Sequence, residues 1–239
     1  MRPDLTDLPF QHLFWLAITR LGESEILLPA FVAGALWLAF AHPAWARGRL
    51  AGTPRASAHP ARGSALRWLA GVGASTAVTT ASKIAFLGFG LGSAAINFTG
   101  FSGHSMYSMA ILPVLGAIVF GRWGAVSGGL LALLVMVSRV EVGAHSWSEA
   151  VSGLVLGIGV AWWTLSLYLE HPGAVRAPWW LPLLIAGWLT LLPKIAPPSQ
   201  THHLVVAVSL KLSGRTRPYT RWQLLHGEVS RLAAAGRFL

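Results

Sequence analysis

Long apolar runs separated by short polar segments dominate the chain, and their lengths predict helices that cross a membrane. A span needs about 20 apolar residues; the chain offers five such runs and a shorter sixth that contains a proline. This pattern predicts an all-α fold, a polytopic membrane bundle of five to six transmembrane helices. The predicted spans are Ile26–Trp45, Ala65–Phe89, His104–Phe120, Trp123–Val137, Ala150–Leu169 and, as the sixth candidate, Trp179–Leu192.

The two flanking segments are less apolar. The N-terminal segment PFQHLFWLAITRL is too short and too mixed to span, and it predicts an amphipathic helix lying in the membrane interface. At the other end, HLVVAVSLKLSG alternates partly with period two, which predicts a short strand within a basic, polar tail. We therefore divide the chain into an interfacial segment (1–25), a membrane domain (26–196) and a C-terminal tail (197–239).

Composition agrees with a membrane protein. Only 11% of the 239 residues are charged and the mean hydropathy is +0.58, whereas soluble domains carry about 25% charged residues. Twelve tryptophans suit the membrane–water interface. The chain has no cysteine, which excludes disulfides and thiolate chemistry.

The net charge of +10 fits basic loops on the cytoplasmic side of a membrane better than a nucleic-acid surface. Residues 42–67 hold five arginines and no acid, so we expect this loop to be cytoplasmic. The loops at 90–103 and 139–149 then meet on the outer face. With six spans the tail lies outside as well; a re-entrant sixth segment would place it inside, and we favour outside.

Several ionisable and small polar residues gather at this predicted outer end. Each charged group inside a membrane helix costs about 2.5–3.5 kcal/mol on insertion scales, so a group of them indicates a functional site. His145 and Glu149 are four residues apart and share a helical face. The set comprises Lys83, Ser102, Gly103, His104, Ser138, Arg139, His145 and Glu149.

A phosphate group fits this set as a common ligand. Ser102 and Gly103 precede a helix, whose free N–H groups and positive dipole end favour an anion. Arg139 can grip phosphate oxygens in a bidentate manner, and Lys83 supplies a point charge. One histidine can attack phosphorus while another protonates the leaving oxygen.

Glu149 can hold the His145 ring in the tautomer that leaves one nitrogen lone pair free. This chemistry needs no metal, and the eight acidic residues nowhere form the carboxylate cluster of a magnesium site. We therefore expect no cofactor and no nucleic acid, with membrane lipid around the chain and a phosphate group as the ligand of the site.

The motifs resemble those of the type 2 phosphatidic acid phosphatases, or lipid phosphate phosphatases, which share a helical core with vanadium haloperoxidases. Their three blocks are Lys-x6-Arg-Pro, Pro-Ser-Gly-His and Ser-Arg-x5-His-x3-Asp. This chain has FSGH at 101–104 and SRVEVGAHSWSE at 138–149, with the spacing kept. In the first block only Lys83 matches, because Gly90 and Leu91 stand where Arg-Pro belongs. The resemblance covers about residues 65–169.

The resemblance implies that His145 is the nucleophile and forms a phosphohistidine, and that His104 is the general acid. It also implies that Glu149 takes the role of the family's Asp. The implied phosphate-binding residues are Lys83, Ser102, Gly103 and Arg139. Since the first-block arginine is missing, we hypothesise that the tail folds over the site and replaces it with Arg215, Arg217 or Arg221; headgroup binding by these arginines is the simpler alternative.

The resulting prediction is a hydrolase of lipid phosphates or diphosphates in the cytoplasmic membrane of a bacterium, with its site facing the exterior or periplasm. Substrate candidates implied by the resemblance are undecaprenyl diphosphate, phosphatidic acid and phosphatidylglycerol phosphate. The alternatives are a lipid phosphotransferase with the same site and a non-catalytic lipid-phosphate binder or transporter. The adjacent His202 and His203 fit plain polar residues better than a metal pair. Close helix packing explains the small-residue spacing of Gly121, Gly124, Gly128, Gly129, Gly153 and Gly157.

Overall fold

The computed structural model of the protein describes residues 10–40, 59–169, 187, 188, 191 and 201–228. In these residues the chain is helical, apart from its turns and one isolated antiparallel bridge between Ser93 and Phe98. The predicted all-α class is therefore confirmed. The helices are α1 (Phe10–Arg20), α2 (Ser24–Phe40), α3 (His59–Phe89), α4 (Gly103–Glu141), α5 (Trp147–Leu169), α6 (Thr201–Ser213) and α7 (Arg221–Leu225).

Helix α4 is a hairpin of two helical legs that meet at Gly121. The backbone of Gly121 is non-helical, with φ 62° and ψ −144°, a conformation that glycine adopts without a Cβ clash. The legs lie in close contact, since a Cβ built on Gly124 would fall 1.9 Å from the Gly116 carbonyl oxygen. The turn explains why the sequence predicted two spans here and why Gly103 and Glu141 lie at one end of the bundle.

Close packing of α5 on the first leg of α4 forms the centre of the bundle. A Cβ on Gly153 would lie 2.4 Å from the Ser102 carbonyl oxygen, and one on Gly157 would lie 2.6 Å from that of Met106. The predicted packing role of these two glycines is confirmed. Trp68 of α3 is fully buried and donates its indole N–H to the Ala110 carbonyl oxygen at 2.8 Å, which ties α3 to the same core.

Among the described residues, three stretches are long and apolar enough to cross a membrane, namely Phe10–Phe40, Gly103–Glu141 and Trp147–Leu169. The chain is thus a membrane protein, as its composition indicates. Helix α3 has 31 residues but does not reach the same apolarity, because threonines, serines and Lys83 lie along it. Most of the sixth candidate span, Trp179–Leu192, lies outside the described residues, so the number of spans stays a prediction.

One sequence prediction is wrong. The segment HLVVAVSLKLSG does not form a strand; it lies in α6 and packs along α3. Ser209 of α6 is buried there, with its backbone close to Gly88. A helix satisfies its own backbone hydrogen bonds, whereas a single strand beside a helix leaves them unpaired, and this outweighs the weak period-two pattern.

A helix forms in the predicted N-terminal segment, as α1, and packs against α4; its place in the membrane interface stays a prediction. The ends of α3, α4, α5 and α6 converge at one end of the bundle, where the polar motifs of the sequence lie. Both legs of α4 reach this end, so His104 and Arg139 belong to opposite ends of one helical element. The topology therefore places the second and third sequence blocks side by side.

Candidate active site

A cavity of about 780 Å³ opens at the end of the bundle where these helices converge. One part of its wall carries charged and polar side chains, and the rest is formed by apolar side chains of α3 and α6. Six of the residues singled out in the sequence line it: Lys83, Gly103, His104, Arg139, His145 and Arg221.

His145 and Glu149, which the sequence places four residues apart, are in hydrogen-bond contact. Nδ1 of His145 lies 2.8 Å from Oε2 of Glu149. Ser146 begins α5 with a capping box, in which its N–H donates to Glu149 and its hydroxyl accepts from the Glu149 N–H. The carboxylate that caps the helix therefore also orients the imidazole, and Nε2 of His145 is left for chemistry.

The carboxylate of Glu149 is fully buried and has a complete set of donors. Its Oε1 accepts from both the backbone N–H, at 2.7 Å, and the hydroxyl of Thr99. Its Oε2 accepts from Nη2 of Arg221 at 2.6 Å, besides the contacts with His145 and Ser146. A buried ionised carboxylate needs such partners, so Glu149 is built to remain charged behind His145.

Burial lowers the pKa of His145 below its ordinary value of 6.5. The hydrogen bond to Glu149 acts in the opposite direction, and the positive charges of Lys83 and Arg139 add to the lowering. His145 is therefore neutral at neutral pH, which is the state in which an imidazole nitrogen can act as a nucleophile.

The start of α4 faces the cavity beside a cation. A Cβ built on Gly103 would lie 3.9 Å from Nζ of Lys83, so the glycine leaves the helix N-terminus open next to the ammonium group. Ser102 does not line the cavity: it is fully buried and its hydroxyl accepts from the N–H of Ser105 as the N-cap. The structure thus brings Gly103 to the cavity and uses the Ser102 side chain to cap the helix.

Arg139 is held from a distant part of the chain. Its Nη1 donates to the hydroxyl of Thr19 at 2.8 Å, and the carboxylate of Glu23 lies close enough to interact with it electrostatically. Nε of Arg139 is buried without a hydrogen-bond partner among the described residues. The α1–α2 corner therefore orients the guanidinium, although nothing in the local sequence around Thr19 indicates this.

Among the three tail arginines, Arg221 lines the cavity, whereas Arg215 and Arg217 are absent from its wall. Arg215 instead lies over the Tyr219 ring, with Cζ 3.9 Å from the ring centroid. Arg217 is exposed. The tail does fold over the site, and Arg221 is the arginine that it brings there.

Sequence reasoning missed Thr19, Asn97, Thr99 and Tyr219. The sequence could have indicated Asn97 and Thr99, because they are polar residues in an apolar context just before FSGH. Within the part of the chain that the structure describes, no group of three or more His, Cys, Asp or Glu side chains is arranged to hold a metal ion. Positive charge on the wall comes instead from Lys83 and the arginines.

The fold and the site define an integral membrane protein with a cationic, histidine-bearing cavity at one end of its helix bundle. Residues 64–172 match the PAP2 superfamily, and the chain belongs to this family. It is similar to a Klebsiella pneumoniae protein named "Uncharacterized 22.5 kDa protein in cps region", with 30% identity over 221 residues, which covers 88% of this chain and 97% of the relative. No solved structure matches the chain significantly. Membership of the PAP2 superfamily supports a phosphatase-type function on a lipid phosphate.

Proposed function

We propose that the protein hydrolyses a phosphate or diphosphate ester of a membrane lipid through a phosphohistidine on His145, at the outer face of the cytoplasmic membrane. One observation supports this most directly: the 2.8 Å contact between His145 Nδ1 and Glu149 on the wall of a cavity that also presents His104, Lys83 and Arg139. A nucleophile oriented by a buried acid, beside an acid–base group and cations, is the arrangement that phosphoryl transfer requires.

In the first step, Nε2 of His145 attacks phosphorus while the Nδ1–H group of His145 keeps its proton and stays hydrogen-bonded to Glu149. The P–N bond forms as the bond from phosphorus to the leaving oxygen breaks, and His104 gives its proton to that oxygen. Lys83, Arg139 and the N–H groups at Gly103 stabilise the negative charge on the phosphoryl oxygens. The lipid alcohol, or a lipid monophosphate if the substrate is a diphosphate, then leaves.

In the second step, water replaces the leaving group. His104 takes a proton from the water, whose oxygen attacks phosphorus as the P–N bond breaks. Inorganic phosphate and neutral His145 are the products, so the cycle closes without a redox change. His104 acts once as acid and once as base, as reversal of the same geometry requires.

The shape of the cavity favours a lipid over a soluble phosphate ester. Phe86 and Leu87 of α3 and Leu204 and Val205 of α6 line the wall away from the charged residues. A substrate with a phosphate at one end and hydrocarbon at the other matches both parts of this wall.

The experiment is phosphate release by the purified protein in detergent micelles, from undecaprenyl diphosphate, phosphatidic acid and phosphatidylglycerol phosphate in turn. We expect release from at least one of them and none from the His145→Ala variant. Brief incubation with substrate labelled in the phosphoryl group should leave acid-labile, base-stable label on the wild type alone, as expected for a phosphohistidine.

Release with His145→Ala at the wild-type rate would exclude the mechanism. Transfer of label to an added lipid alcohol in place of water would identify a phosphotransferase. Binding of the lipids without release of phosphate would identify a non-catalytic binder. Gly90, which stands in place of the first-block arginine, favours this alternative.

A further inference from the structure

The tail crosses the cavity as an arm, residues 218–221, that is fixed to the end of α3. Tyr219 is buried, packs with Phe86 and Leu224, and donates its backbone N–H to the Leu87 carbonyl oxygen at 2.9 Å. Arg215 lies over the Tyr219 ring and donates to its hydroxyl at 3.0 Å. The arm therefore holds a defined position, and its last residue, Arg221, is also the first residue of α7.

Arg221 contacts two elements of the site through its terminal nitrogens. Nη2 donates to Oε2 of Glu149 at 2.6 Å and to the hydroxyl of Thr99 at 3.4 Å. Nη1 donates to the side-chain oxygen of Asn97 at 3.1 Å. Glu149 is fully buried while the Arg221 side chain is 33% exposed, so the arginine closes the site from the outside.

These contacts carry our inference, which rests on the function proposed above. We propose that Arg221 is a positioning residue of the active site: it holds the Glu149 carboxylate and the residue 97–99 loop in place. Both terminal nitrogens of Arg221 are engaged with protein oxygens, which is why we assign it to Glu149 and not to the phosphate. The tail thereby becomes part of the catalytic apparatus.

The chemical effect of Arg221 follows from sharing one carboxylate oxygen with His145. Glu149 has to orient the His145 ring without taking its Nδ1 proton. A guanidinium on the same oxygen stabilises the carboxylate anion, which keeps that proton on the imidazole. The groups that interact with His145 are Lys83 from α3, His104 and Arg139 from α4 and Glu149 from α5. Arg221 from α7 lies against Glu149 and acts on His145 through that carboxylate.

The test compares Arg221→Gln with Lys211→Gln, which removes an exposed cation of the same C-terminal region outside the cavity. We expect kcat to fall by about 10- to 100-fold in Arg221→Gln, the equivalent of one hydrogen bond to a charged group. The dissociation constant for inorganic phosphate, measured by phosphorus NMR, should stay within about twofold of the wild type, because no phosphate contact is lost. Lys211→Gln should have the same kcat and the same dissociation constant for inorganic phosphate as the wild type.

A second readout does not depend on turnover. Nitrogen NMR of histidine-labelled protein in micelles follows the titration of His145, identified with the His145→Ala spectrum. Removing the positive charge of Arg221 should raise the titration midpoint by roughly one pH unit, whereas an arm that merely stabilises the fold leaves it unchanged. Arg221→Lys keeps the charge, so the His145 midpoint in this variant should lie close to that of the wild type.

Each other outcome overturns the inference. If Arg221→Gln weakens kcat and phosphate affinity equally, Arg221 is a direct phosphate ligand. If it changes neither, the arm has no role in catalysis. If Arg221→Gln fails to fold, Arg221→Met, which keeps an apolar stem but carries no charge, provides the same kcat, phosphate-affinity and His145 titration readouts. Should the wild type release no phosphate at all, the proposed function fails, while the titration still reports whether Arg221 acts on the His145–Glu149 pair.

Discussion

The hydroxyl of Thr19 accepts a 2.8 Å hydrogen bond from Nη1 of Arg139, although 120 positions separate the two residues in the chain. The guanidinium is partly buried, and Thr19 is a hydrogen-bond partner that fixes its direction. We predict that Thr19→Val lowers kcat/KM by about tenfold, the rate equivalent of one hydrogen bond to a charged group. Thr164→Val, at a buried threonine that bonds only within α5, serves as the control and should leave activity unchanged.

The His104 side chain faces the cavity and makes no hydrogen bond to another side chain or backbone group within the described part of the chain, so its ring is available to exchange protons with substrate. We predict that His104→Ala lowers kcat by about 10²- to 10⁴-fold for lipid monophosphates, the usual contribution of a general acid. Diphosphates should lose less, since a phosphate leaving group needs less help from a proton. Equal losses across substrates with different leaving groups would contradict the general-acid role.

The pH dependence follows from the pKa of His145, which burial lowers below 6.5. The neutral imidazole is the reactive form, so activity is present above the lowered pKa and is lost as the pH falls through it. We predict that the acidic limb of kcat/KM reaches its half-point below pH 6.5. A midpoint above that value in the wild type would show that another group controls the limb.

Metal removal tests the source of the positive charge at the site. Lys83 and Arg139 face the cavity and can neutralise a bound phosphate dianion. We predict that phosphate release continues in EDTA at the untreated rate, measured beside a magnesium-dependent phosphatase that loses activity in the same buffer. Loss of activity that magnesium restores would point to a different mechanism.

The side of the membrane can be read from the tail, because Arg221 lines the same cavity as His145. The chain has no cysteine, so a single cysteine at the exposed position Thr216 is the one thiol present. We predict that a membrane-impermeant thiol reagent labels Thr216→Cys in intact spheroplasts, and that Ala51→Cys, in the predicted cytoplasmic loop, reacts only after lysis. The reverse pattern would place the site inside.

Local sequence patterns were sufficient for the helices and for part of the site. The apolar runs predicted the bundle, the glycine spacing predicted the contacts of α5, and the four-residue interval of His145 and Glu149 predicted their contact. Each of these relationships depends on residues close together in the chain. The roles of Ser102 and of α6 depended on what surrounds them. Ser102 is covered as a helix cap, and among the described residues α6 lies beside helix α3 and has no strand to pair with.

The remaining site contacts join distant parts of the chain. Thr19 reaches Arg139, and Arg221 reaches Glu149 across 72 positions. Such pairs leave no periodicity or fixed spacing in the sequence, since only the folded topology brings them together. The sequence could suggest that some tail arginine approaches the site, because the first block lacks one, but the choice of Arg221 depends on where Tyr219 docks.

The order of the site residues along the chain has a consequence for biosynthesis. Lys83, His104, Arg139, His145 and Glu149 all leave the ribosome well before Arg221, and the helices that carry them can insert into the membrane and assemble first. On our proposal, the nascent bundle stays catalytically slow until the arm has been synthesised, translocated and docked at Tyr219. A protease that cuts between α6 and the arm would return the mature enzyme to that immature state without disturbing its membrane core.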